Sequence, residues 1–313
     1  MLFRSIEQRS ADIHISNDKY GSKSVKVTQK SLYKNHFIAY TSSDGSVVTP
    51  KETKAFGANV VSNTYANGKG VIIFDAPVTS IGDKAFYECS SLTSVTIPDS
   101  VTSIGDKAFY MCSSLTSVLM SNGTKTIGDR AFAFCGSMTD FTIPNSVTSI
   151  LDFAFARCNS LTSITLGNSV TSIGTYAFRY CHSLKSITIP DSVQKIGEFA
   201  FEECSLLTSI TIGNGVTSIG YKTFIGCSSL TSVIIPDSVT SIGNGAFADC
   251  TSLTSVYCKP TTPPTAVLVG DEWNAFNNNA SGRQIYVPRN SVSAYKAAKY
   301  WSKYASYIEG YDF

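Results

Sequence analysis

The chain has 313 residues, 43% hydrophobic and only 15% charged, a balance that excludes a disordered segment. Its formal net charge of +2 is too small to mark a nucleic-acid or membrane-surface binder. No apolar run approaches the ~20 residues of a membrane helix, so neither nucleic acid nor membrane insertion is expected.

The amino terminus, "MLFRSIEQRS", has only Leu2 and Phe3 before charges begin, which is no secretory h-region. Residues 1–37 contain seven Lys or Arg against three Asp or Glu, unclustered, and read as a lead-in arm. Within it "DIHIS" and "SVKVT" alternate around "NDKYGSK", which predicts a small hairpin. Residues 38–77 carry broken pieces of a pattern that becomes regular downstream. Lys54-Ala55-Phe56 echoes a later "DKAF", and Ile72–Phe74 is expected to start the stack, so the segment reads as a degenerate amino-terminal cap.

From Val78 to Thr261 eight 23-residue units follow one another without insertion or deletion. Ile81, Ile104, Ile127, Ile150, Ile173, Ile196, Ile219 and Ile242 form one unbroken column. Phe86, Phe109, Phe132, Phe155, Phe178, Phe201, Phe224 and Phe247 form another, each preceded by Ala except at Thr223. So short a repeat cannot bury its apolar residues alone, and its neighbours must cover them. Like residues then stack at the spacing of parallel strands, about 4.8 Å. Within a unit, "LTSVTIP" predicts a short parallel strand with Leu92, Val95 and Ile97 inward. "VTSIG" predicts a second extended piece, and "DKAFYEC" a single helical turn aiming Ala85, Phe86 and Cys89 at the core.

This recurring Cys, Leu, Val/Ile, Ile-Pro, Val, Ile-Gly, Ala-Phe pattern resembles the BspA-like, or Treponema pallidum type, leucine-rich repeat family. The resemblance covers 78–261 at every unit. It implies a leucine-rich-repeat solenoid of short parallel strands. It also implies a surface-associated, secreted or otherwise adhesive protein that binds host or neighbouring-cell macromolecules. With no visible signal peptide, a cytoplasmic or virion-associated location stays open beside the cell surface.

Beyond 261, "KPTTPPT" breaks the pattern, and "NAFNNN" and "IYVPRNSV" look like parts of one last repeat with an insertion between them. In "SAYKAAKYWSKYASYIEGY", Tyr295, Ala298, Trp301 and Tyr304 recur at helical spacing. Residues 262–313 therefore read as a carboxy-terminal cap ending in a helix, with Trp301 as a core anchor.

Cys89, Cys112, Cys135, Cys158, Cys181, Cys204, Cys227 and Cys250 recur once per unit, and Cys258 falls in an aliphatic column. Parallel in-register side chains point the same way, which opposes both a disulfide dihedral and a tetrahedral metal site. Buried free thiols are expected. No metal, cofactor or catalytic residue is assigned: the three histidines do not repeat with the cysteines, and no nucleotide, zinc-protease or calcium-loop motif occurs. The Glu202–Glu203 pair reads as solvated.

Fixed columns belong to the core, so recognition is sought in variable ones. The column of Lys84, Lys107 and Arg130 becomes Phe153, Tyr176 and Phe199 in three successive units, then returns to Lys222. Arg157, Arg179 and Tyr180 lie beside it. These six residues are the candidate partner-binding set, suited to a protein or glycan ligand because aromatics and Arg dominate interface hot spots. The opposing reading is that the rings only cover the turn or lean into the core rim. The function expected is a non-enzymatic binding or adhesion module, acting as a monomer. The alternatives left open are an intracellular scaffold, a virion-associated fibre component, and ice binding through the Ser/Thr strand columns. That last pattern is broken by Leu119, Asp140, Ile234 and Tyr257.

Overall fold

The computed structural model describes residues 34–268 and 274–313, together with the backbone of 11–15 and 23–27. Strands β1 (Ala11–Ile15) and β2 (Lys23–Val27) pair antiparallel with Ala11 opposite Val27. The side chains of residues 1–33, with six of the arm's seven cations, lie outside the described residues, while Lys34 pairs with Asp99.

The repeat region is a parallel solenoid. Each coil contributes a strand of two or three residues at the Ser-Ile position, beginning with Ser80–Ile81 and ending with Ser241–Gly243. These join Thr265–Val267 in one nine-stranded sheet. Register is strict: Ile81 pairs with Ile104, and so on to Ile219 with Ile242. On a second wall the longer strands align Ser94 with Ser117, Ser163 with Ser186, and Ser232 with Ser255. A one-residue slip would turn every inward side chain to solvent, which is why an insertion-free repeat matters.

Between the walls lies the phenylalanine ladder. From Phe86 to Phe247 successive ring centroids are 5.1–5.4 Å apart and nearly parallel, and every ring is buried. Phe276 extends the stack at 5.6 Å, and Phe56 closes the other end edge-on at 5.7 Å. Close approach of backbone favours glycine at the Ile-Gly step, where Leu151 is the one exception. A Cβ on Gly197 would lie 2.4 Å from the carbonyl carbon of Gly174 in the preceding coil.

The third wall differs from the expected helical turn. Ala85, Tyr87 and Cys89 N–H groups close i→i−3 turns onto Gly82, Lys84 and Phe86. Lys84, Phe86 and Glu88 instead donate forward to Asp106, Ala108 and Tyr110 of the next coil. This alternation requires a left-handed residue at Lys84 (φ 55°) and again at Glu88 (φ 55°), so the segment is a chain of turns rather than α-helix. It forms a third ladder between coils, which satisfies buried backbone groups that a free helical turn would leave open.

All nine cysteines are free and buried. Seven of the eight repeat thiols reach back 26 residues: Cys112 Sγ donates to the Phe86 carbonyl at 3.0 Å, and those from Cys135 to Cys250 follow at 3.2–3.3 Å, while Cys89 in the first coil donates to the Thr49 carbonyl at 3.5 Å. Cys258 lies 3.3 Å from the Tyr295 hydroxyl. Hydroxyls act similarly at the surface, as where Thr171 Oγ1 donates to the Thr148 carbonyl at 3.1 Å.

Both ends depart from the sequence pattern. Strand β3 (Phe37–Ser42) lies between β5 (Lys69–Phe74) and the first long strand, Leu92–Thr96, antiparallel to both; β4 (Val60–Ala66) pairs outside β5. Ile72–Phe74 therefore does not begin the parallel stack. Alternating apolar residues specify which face is inward, not which direction the strand runs. At the other end the long helix is not continuous. Helix α1 spans only Val292–Ala297, Ala298 is extended, Tyr300 is left-handed (φ 71°), and a 3-10 segment covers Trp301–Tyr307. The break lets the Trp301 indole donate to the Pro264 carbonyl at 2.8 Å while its ring packs near Phe276. Ile308–Tyr311 then adds a last parallel strand to Gln284–Pro288.

Phe178 is fully buried between two stacked rings. Phe178→Ala should cost about 3–5 kcal/mol through the cavity it leaves. Denaturant unfolding measures this, and a change under about 0.5 kcal/mol would contradict a stacked core.

Burial pushes the thiols up, to about 11 at Cys89 and about 12 at Cys181 and Cys258. The folded chain thus keeps protons that the unfolded chain releases from the ordinary thiol value of 9 upward. Stability is fully present below that pH and is lost as pH rises through 11–12. Unfolding midpoints should fall steeply above pH ~9, less steeply in Cys181→Ala, and native thiol labelling should be slow. An equal slope in both proteins would refute the assignment.

Candidate functional site

Five of the six candidate residues occupy the two left-handed columns of the turn wall. Phe153, Tyr176 and Phe199 have φ of 54°, 58° and 54°, while Arg157 and Tyr180 have 60° and 59°. Arg179 lies between the columns. A left-handed non-glycine residue costs roughly 1–2 kcal/mol. The forward hydrogen bonds hold it there: Phe153 N–H to Thr175 O at 2.9 Å, Tyr176 to Glu198 at 2.9 Å, Arg157 to Arg179 at 2.7 Å. The same geometry directs these side chains to the rim rather than into the Phe ladder.

There the three rings form a second, peripheral stack. Phe153 and Tyr176 centroids are 4.6 Å apart, Tyr176 and Phe199 4.7 Å, with interplanar angles of 20° and 15°. Cations lie over both outer rings. The Arg130 guanidinium is 4.3 Å from the Phe153 centroid, and Lys222 Nζ is 5.8 Å from that of Phe199. Tyr221 meets Phe199 edge-on at 5.1 Å. The rings are half-buried, their faces spent on one another.

The second column adds the basic part. Arg157 and Arg179 lie over Tyr180, each 4.5 Å from its centroid, and Arg179 is also 4.9 Å from Tyr176. Arg157 is exposed. Arg179 is held by Glu202, Nε to Oε2 at 2.7 Å, and also donates to the Tyr180 hydroxyl at 3.1 Å. Burial works against its charge, but the Glu202 hydrogen bond and charge outweigh that and raise its pKa. Glu202 is not solvated as the sequence suggested: its side chain is only 14% exposed and fixes Arg179. The covering role of Arg130 and Lys222 and the Phe134 ring, 5.6 Å from Arg157, also went unread. The one signal available was that Arg130 and Lys222 directly flank the aromatic run in its column.

Chemically the arrangement offers ring edges, a flat guanidinium and a carboxylate, but no activated nucleophile. Among the described residues no cluster of His, Cys, Asp or Glu could hold a metal ion, and no helix is long and apolar enough to cross a membrane.

The profile of the BspA type leucine-rich repeat region, in six copies, matches residues 56–185 and 171–298. The chain belongs to the BspA-type leucine-rich repeat family. Among solved structures, this BspA-type chain is similar to a leucine-rich repeat protein from Bacteroides ovatus ATCC 8483, with 28% identity and a TM-score of 0.53. That match covers 74% of this chain and 63% of the other, so the chain spans less than two thirds of that protein's length. The T. pallidum leucine-rich repeat protein is 31% identical over 57% of this chain and 73% of its own, with a TM-score of 0.42. A leucine-rich cell surface protein from Faecalibacterium prausnitzii A2-165 is 29% identical over 80% and 86%, with a TM-score of 0.40. No curated protein matches significantly.

One glycine tests the backbone of this wall. Gly226 occupies the Tyr180 column at φ 73°, and a Cβ there would lie 2.6 Å from a Glu203 carboxylate oxygen. Gly226→Ala should destabilise the solenoid by about 1–2 kcal/mol. An unchanged unfolding midpoint would show that the left-handed turn is not strained.

Proposed function

We propose that the chain is a non-enzymatic recognition module that binds a protein or glycan partner through the aromatic and arginine rim of its turn wall, at a cell surface. The observation that carries this is the peripheral stack of Phe153, Tyr176 and Phe199. The solenoid folds with Lys in the same column at Lys84, Lys107 and Lys222, so the fold itself does not require rings there. A leucine-rich-repeat family and a wall of rigid coils fit a protein-interaction or adhesion role. The stacked rings, with Arg157 exposed beside them, supply the residue types that dominate binding energy at interfaces. Surface location, which follows the family resemblance, and a monomeric state are part of this proposal.

Replacing Phe153, Tyr176 and Phe199 together by Lys tests it. The backbone angles at Lys84, Lys107 and Lys222 are 55°, 56° and 51°, matching those of the three rings, so the variant should fold with an unchanged circular dichroism spectrum. A partner captured by the immobilised wild-type protein from solubilised cell-surface material, or on a glycan array, should be lost by the variant. Undiminished capture would reduce the rings to rim packing.

A further inference from the structure

The outward column of the long strands changes character along the solenoid. It holds Thr142, Thr165, Thr188 and Thr211, then Ile234, Tyr257 and Tyr286. Where it turns aromatic, a cavity of about 290 Å³ opens between Ile234, Tyr257, Lys259, Tyr311, Asp312 and Phe313. Tyr257 stacks on Tyr286 at 4.9 Å and meets the edge of Tyr311 at 5.3 Å, so its other face is turned along the row toward Ile234. Ile234 and Phe313 are half exposed, at 50% and 51%. Asp312 is fixed by Arg289, whose Nε and Nη2 donate at 3.0 and 2.7 Å.

The adjoining coils carry a second, shallower hollow of about 830 Å³ on the same strand face. Ser163, Thr165, Ser186, Thr188, Thr211 and Asn214 line it, and it contains no Lys or Arg. Asp191 is its one acidic group, and its Oδ1 accepts the Asn214 N–H at 2.7 Å. Thr211 and Ile234 are equivalent positions of successive coils, so the hydroxyl hollow runs directly into the aromatic pocket.

We propose that this strand face binds a neutral polysaccharide chain, with one pyranose ring stacked on Tyr257 and the following rings laid along the Ser/Thr/Asn rows. The chemistry selects that ligand. Aromatic walls take the C–H face of a sugar, and Asp312 and Lys259 supply an acceptor and a donor for its hydroxyls. The absence of cations from the hydroxyl hollow gives an anionic chain nothing to pair with. Successive coils lie one strand spacing, about 4.8 Å, apart, close to the length of one pyranose unit in an extended chain, so each coil meets about one sugar. This face shares no residue with the aromatic rim of the turn wall.

The probes are cellohexaose, chitohexaose and mannohexaose, with a hexagalacturonate as the anionic control, titrated calorimetrically into the full chain. At least one neutral hexamer should bind saturably, and its dimer about tenfold more weakly. Tyr257→Thr restores the residue common in that column, so the coil is kept, and affinity should fall about tenfold. Sugar binding lost in the Phe153, Tyr176, Phe199 triple Lys variant but kept in Tyr257→Thr would place the ligand on the rim and overturn this site. Binding by none of the neutral hexamers, binding by hexagalacturonate alone, or full affinity in Tyr257→Thr would each overturn the proposal.

Discussion

The structure depends on exact repetition of backbone hydrogen bonds between a residue and its counterpart one coil away. On the turn wall every second N–H donates forward, to a carbonyl 22 residues on, while the intervening ones close turns backward. On the strand walls the pairing is residue i with i+23. The last coil carries extra residues and loops them out, pairing Ile242 with Ala266 and Val256 with Ile285, so that the ladders continue into the cap. The Cys column belongs to the same system. The Phe86 carbonyl already accepts the Cys89 N–H at 3.1 Å, and the Cys112 thiol fills its remaining capacity from the next coil. A thiol suits that place because it donates weakly and loses little on burial.

A stack of this kind has two ends and no closure, and each end is finished differently. The antiparallel β3 covers the open edge of the first long strand, and the Tyr40 hydroxyl donates to Asn63 at 2.8 Å, tying β3 to β4. At the far end Phe276 continues the ring ladder and is then covered by Trp301 and Tyr304. Arg283, 93% removed from solvent by its 7% exposure, lies over Phe276 and Tyr304 and donates to the Phe276 carbonyl at 2.7 Å. Burial lowers its pKa, and the ring faces and that carbonyl offset the cost of a cation within the cap.

The invariant columns were legible in the sequence because in-register stacking forces identity: Ile, Phe, Leu and Cys recur where the core is. The turn wall was not, because "DKAF" is rich in good helix formers and the local propensity points to helix. Neighbouring coils override it, since their carbonyls claim the N–H groups of Lys84, Phe86 and Glu88. The direction of β5 was hidden for a related reason, as alternation is the same read either way. At the rim, the stacking of Phe153, Tyr176 and Phe199 follows from register alone and could be read. The pairing of Arg179 with Glu202 could not, because it depends on rotamers of adjacent side chains rather than on column identity.

Register also shapes the rim, the recognition surface proposed above. Its columns are constrained in backbone angle but not in side chain: the same left-handed site accepts Lys107, Arg130, Phe153 and Gly245. The fold therefore pays a conformational cost there in every coil whose residue carries a Cβ, all but that of Gly245. Flat rings repay part of it by stacking on their neighbours, and Arg130 and Lys222 extend the stack by one coil at each end. A side chain so held has already lost its rotamer freedom before any partner arrives. Binding then costs less entropy than it would on a mobile loop, which favours a rigid strip over the longer but more solvated lysines it replaces.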